Sequence, residues 1–157
     1  MTREEKLMKE AIELSEKGMR NNEGGPFGCV IVKGDTIIGK GNNLVNVTND
    51  PTSHAEIVAI RDACNTLGTF LLEGCELFTS CEPCPMCLGA IYWAGLNKIY
   101  YANSRNDAAQ IGFNDSIIYQ EMNCDLKDRK IPMINLCREA AQKVFIEWSE
   151  KKDKTIY

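Results

Sequence analysis

The chain has 157 residues, 44% of them hydrophobic and 25% charged, which fits one soluble domain around one core. Disordered and membrane-spanning classes are excluded, since no apolar run approaches the ~20 residues a bilayer requires. A formal net charge of −4, from 18 basic and 22 acidic residues, argues against a nucleic-acid partner and suits a small neutral ligand.

In chain order, residues 3–20 carry apolar side chains at helical spacing (Leu7, Ala11, Leu14, with Met8 and Ile12), and Gly24-Gly25-Pro26 ends that pattern. Residues 27–33 and 36–41 are rich in Val and Ile around Lys33-Gly34-Asp35 and predict a β-hairpin. A polar loop from Asn42 leads to Thr52 and Ser53, either of which is expected to cap a helix over 54–67 that Gly68 closes. A third strand is expected from Cys75 to Ser80. Pro83 and Pro85 then open a helix running to about Ala94, because proline is tolerated in a first helical turn. Lys98–Ala102 reads as a fourth strand, 103–125 as short helices, Ile131–Leu136 as a fifth strand and Arg138–Lys151 as a last helix. That order predicts one α/β domain over 1–157, a three-layer α/β/α arrangement with a mixed five-stranded sheet flanked by helices. The charged start, Met1 to Lys6, lacks the apolar core of a signal peptide, so a cytoplasmic protein is expected.

Eight cysteines is many for such a chain, and without a secretory signal metal binding outweighs a disulfide framework. Cys29, Cys64, Cys75 and Cys137 fall in apolar-periodic segments and are expected in the core, while Cys124 has no evident partner. Cys84 and Cys87 differ. They open a helix three residues apart, which places both sulfurs on one face. A helix start also favours thiolate, the form that binds zinc. His54, the only histidine, can supply a third ligand from the start of another helix. Three protein ligands on tetrahedral Zn2+ leave one corner for water, the mark of a catalytic site. Glu56, two residues beyond His54, can reach that water and move its proton. A rival arrangement adds Cys81 as a fourth ligand and closes the site, but leaves Glu56 without a task.

His54-Ala55-Glu56, followed 27 positions after Glu56 by Pro83-Cys84-Pro85-Met86-Cys87, is the pattern of zinc nucleobase deaminases. With Gly24 to Gly28, Asn49 to Thr52, Thr79 to Ala94, Asp107 to Ala109 and Gly112 to Ser116, the sequence resembles the small bacterial-type guanine deaminases of the cytidine-deaminase-like superfamily. The resemblance implies a zinc-dependent aminohydrolase of purine catabolism that converts guanine to xanthine and ammonia. It implies that Asn43 hydrogen-bonds the base, that Phe27 stacks on it, and that Trp93 walls the pocket. Ala55 would donate its backbone N–H, and Asp115 would accept from the base or relay a proton. It further implies a homodimer that exchanges C-terminal segments, with 151–157 as a tail whose Tyr157 caps an active site. On the residues alone, Asn43 is also a turn residue, Phe27 and Trp93 core aromatics, and Asp115 a loop aspartate. Guanosine, cytosine and tRNA adenosine remain alternative substrates, although Ser104 to Ala109 departs from the tRNA enzymes. A catalytically silent zinc-binding subunit is the rival from another class.

Overall fold

The structure is a computed structural model that describes residues 1–157. The chain divides into two compact units, Met1–Ser116 and Ile117–Tyr157. Helix α1 (Arg3–Arg20) starts from a reciprocal cap: the Thr2 hydroxyl accepts the Glu5 N–H and the Glu5 carboxylate accepts the Thr2 N–H. Strands β1 (Gly28–Lys33) and β2 (Thr36–Asn42) form the expected hairpin, with a register shift between Ile31 and Val32. A short helix α2 (Val45–Thr48) interrupts the next loop. Helix α3 (Ala55–Leu67) ends on Gly68 in the left-handed conformation, as expected. Strand β3 (Cys75–Cys81), helix α4 (Pro85–Trp93) and strand β4 (Lys98–Asn103) follow, then helix α5 (Arg105–Gln110).

The sheet runs β2-β1-β3-β4, with β1 antiparallel to both neighbours and β3 parallel to β4. Strand alternation sorts the core into two layers. Cys29 and Ile31 of β1 join Cys75 and Leu77 of β3 against Ala55, Ala59 and Ala63 of α3 and Ile91 of α4. Val30, Val32 and Phe78 face the other way, against Leu7 and Ala11 of α1. The three-layer expectation therefore holds. Two glycines let the layers close: a Cβ on Gly28 would lie 2.1 Å from the Ala11 carbonyl oxygen, and one on Gly41 would lie 2.3 Å from that of Ala55. Gly41 thus sets how closely the start of α3, and with it the site, sits on the sheet.

The second unit holds helix α6 (Ser116–Asn123), which begins at the boundary, a 3-10 turn (Leu126–Asp128) and helix α7 (Arg138–Glu150). Here the sequence expectation fails: the sheet has four strands, because 131–136 forms no strand. Apolar residues at Ile131, Met133, Ile134 and Leu136 suit a strand, but a strand exists only through pairing. These four side chains are 57–84% exposed, and Pro132 has no N–H to give a ladder. Cys137 is also not a core residue. It is exposed, in the left-handed region at φ 54°, at the cap position of α7.

A candidate metal centre

Two helix starts make the site. His54 occupies the cap position of α3 and Cys84 that of α4, both with extended backbone. This corrects the expected cap at Thr52 or Ser53, whose hydroxyls are engaged elsewhere: both donate to the Asp50 carboxylate, at 2.7 Å each, and the Thr52 N–H adds a third bond at 2.8 Å. The turn around Asp50 hands the chain to His54 in a fixed direction. Pro85 begins α4 and Cys87 lies fully buried in its first turn.

His54 Nδ1 lies 3.5 Å from Cys84 Sγ and 3.5 Å from Cys87 Sγ, and the three ligating atoms fall within 4.8 Å of one another. A tetrahedral zinc ion holds a nitrogen and a sulfur ligand roughly 3.6 Å apart. The donor set therefore fits the metal in both chemistry and spacing. Hydrogen bonding from Cys87, then from His54, holds the Cys84 thiol down at about 4, so it is a thiolate at neutral pH. Cys81 stands outside this group. Its sulfur points to the Ser104 carbonyl at 3.7 Å, and burial pushes its thiol up to about 11, which disfavours the closed four-ligand alternative.

Glu56 is 6% exposed and its carboxyl is raised above the usual range, chiefly by burial. The Cys87 thiol is within hydrogen-bonding reach of it, which puts the carboxylate beside the ligand set. Asp115 also feels the Cys84 charge and is raised, first by its own partial burial. Ala55 is buried in the first turn of α3, where backbone N–H groups have no intrahelical partner. Asn43 is 5% exposed; its Oδ1 accepts the Val45 N–H at 3.1 Å, which leaves Nδ2 to donate. Its backbone N–H donates to the Phe27 carbonyl at 3.0 Å, tying the two residues together. The Phe27 ring meets that of Phe113 edge to face at 4.9 Å.

Trp93 is not among the residues gathered around the sulfurs. It is 70% exposed at the far end of α4, about 13 Å along the axis from Cys84. Tyr157 belongs to the second unit and is exposed. Three contributors escaped the sequence reading. Asp50 was signalled by Asp-Pro-Thr-Ser, a turn former. Thr79 was signalled by strand alternation, as a polar residue among buried ones. Phe113 was signalled only as part of the Gly112–Ser116 stretch that carries the resemblance, with no role attached.

Residues 1–103 match the cytidine and deoxycytidylate deaminase zinc-binding region. The chain belongs to that deaminase family. Among the family's members, it is 46% identical over 153 residues to guanine deaminase from Bacillus subtilis (strain 168), covering 98% of each chain. The crystal structure of guanine deaminase from that species superposes with a TM-score of 0.95 over 98% of both chains. A structure of guanine deaminase from Nitrosomonas europaea, 29% identical, covers 92% of this chain and 84% of that one at a TM-score of 0.66. The tRNA-specific adenosine deaminase of Aquifex aeolicus is 46% identical too, but over 77 residues, 49% of this chain and 51% of its own. The deaminase likeness shared with the tRNA enzyme thus spans about half of the chain, and that with the B. subtilis enzyme nearly all of it.

Proposed function

We propose that this deaminase hydrolyses guanine to xanthine and ammonia, as an enzyme of purine catabolism in the cytoplasm. The observation that carries the substrate is the 46% identity to a guanine deaminase across 98% of both chains. The ligand triad with Glu56 at its side supports the chemistry.

His54, Cys84 and Cys87 would hold zinc, which would supply the acidification of the attacking water. Glu56 takes the proton from that water as it attacks the ring carbon bearing the amino group. The carboxyl then delivers the proton to a ring nitrogen, takes the remaining proton of the added hydroxyl and passes it to the amine, which leaves as ammonia as the C–N bond breaks and the carbonyl forms. A raised carboxyl suits this shuttle, because its proton affinity is closer to that of the groups it serves. Asn43 Nδ2 donates to an acceptor on the base, and the Ala55 N–H does the same from the helix start. Phe27, held by Phe113, stacks on the ring, and Asp115 accepts an N–H or relays a proton. Ammonia release measured on guanine, guanosine, cytosine, adenine and tRNA is the test. Turnover of guanine alone is expected, whereas preference for another substrate would overturn the assignment.

We further propose a homodimer in which copies exchange the C-terminal unit, so that Trp93 and Tyr157 complete a site contributed by two chains. What supports this is that Ile117–Tyr157 contains no buried residue, although it carries Phe145, Ile146 and Trp148 on α7. Mixing Glu56→Gln chains with chains lacking 155–157 tests the exchange. Each alone should be impaired, and the mixture should recover activity if the tail acts across subunits. No recovery would remove the exchange.

A further inference from the structure

We infer that Thr79 is a positioning residue for Glu56: its buried hydroxyl holds one carboxylate oxygen, so that the proton traffic of the reaction runs through the other. This rests on the Glu56 role proposed above.

Thr79 is the fifth residue of β3, fully buried, and pairs in register with Cys29 of β1. Alternation puts it on the same face as Cys75 and Leu77, the face that carries α3. There its Oγ1 donates to Glu56 Oε1 at 3.2 Å. The reach is from the middle of the sheet to the first turn of a helix, between two elements that other contacts already fix.

A hydroxyl suits this task in three ways. Thr is branched at Cβ, so its χ1 is restricted and the oxygen does not wander. Neither residue offers water much access, and a buried donor with one partner keeps it. The hydroxyl can also donate to Oε1 whether Glu56 is charged or neutral, because a protonated carboxyl retains an acceptor on the oxygen without the proton. Oε1 is thus occupied throughout the cycle. Oε2 takes the proton from water and gives it to the base, and the side chain does not have to rotate between the two transfers.

The test compares Thr79→Val, which removes only the hydroxyl at nearly constant shape, with Thr79→Ser, which keeps it and loses the methyl. Steady-state ammonia release is read with zinc content and Tm on the same preparations, using whichever base the wild type turns over. A different substrate then overturns the guanine assignment without touching this inference. For Thr79→Val, kcat is expected to fall about 10- to 100-fold, the range for a hydrogen bond to a charged group, with KM within twofold and zinc unchanged. Thr79→Ser is expected to restore kcat to within about threefold of wild type. Adding Thr79→Val to Glu56→Gln should cost nothing more, since the partner's function is already gone. Should Thr79→Val not fold, Thr79→Ala read against Thr79→Ser makes the same comparison. An unchanged kcat without the hydroxyl, or equal losses in the Ser and hydroxyl-free variants, overturns the inference.

Discussion

The two units of this chain treat their apolar residues in opposite ways. Between the sheet and α3, Ala55, Ala59, Ala63, Cys29, Ile31 and Leu77 are all fully buried. In Ile117–Tyr157, Val144, Phe145 and Ile146 are 58–76% exposed. Both regions have helix-forming sequence with an apolar stripe, so local propensity does not separate them. What separates them is a partner: α3 has a sheet of its own chain to lie on, whereas α7 presents apolar surface without burying it. Helices in water draw most of their stability from such packing. The exchange of C-terminal units proposed above would give this face of α7 a surface to lie on.

The sharpest way to break the first region is Cys84→Ser, which removes a ligand and leaves two. Zinc content should fall to near zero and activity by at least about 10³-fold, read by elemental analysis and ammonia release. Cys81→Ser, one strand end away, should keep both within about twofold, because that sulfur serves the Ser104 carbonyl instead. Next in size is Glu56→Gln. It should preserve zinc and fold but lower kcat about 10²- to 10⁴-fold, the range of general acid–base catalysis. For the second region, Phe145→Glu puts a charge on the α7 face. On a solvated helix it would change nothing, but at a buried interface it should weaken self-association at least 100-fold, read by sedimentation.

The smallest effect is expected at Asp50, whose hydrogen bonds from Thr52, then Ser53, hold its carboxyl at about 2 against an ordinary 3.8. A depressed carboxyl contributes stability above the ordinary value and loses it as pH falls through the depressed one. Asp50→Asn should therefore lower Tm by less than about 5 °C at pH 7. The difference from wild type should shrink steadily as pH is lowered from 4 to 2. A difference independent of pH would mean that the carboxylate charge plays no part in the turn.

The sequence made some of this legible and hid the rest for physical reasons. Periodicity located α1 at Arg3–Arg20 and the hairpin within a residue or two, because both follow from the spacing of apolar side chains along one segment. Spacing singled out His54, Cys84 and Cys87, since the chemistry of a metal needs those donors at helix starts. The apolar residues of Ile131–Leu136 also made that segment look like a strand, but no pattern inside a segment reports whether a neighbour exists to pair with it. The hydroxyls of Thr52 and Ser53 were read as caps by type, whereas a local competitor, Asp50, takes them. The bond from Thr79 to Glu56 and the ring contact of Phe27 with Phe113 join residues distant in sequence, which only the folded topology brings within reach.

His54 and Cys84 stand where Ser or Asp would ordinarily secure the first turn of α3 and α4. A zinc ion held by His54, Cys84 and Cys87 would take over that duty for both starts at once and tie together two helices on the same face of the sheet. Chelation should therefore be felt as slackness in the opening turns of α3 and α4, seen as faster amide exchange there, before any strand lets go. On that account the metal would belong to the architecture as well as to the chemistry, and a shortage of it would erode shape along with rate.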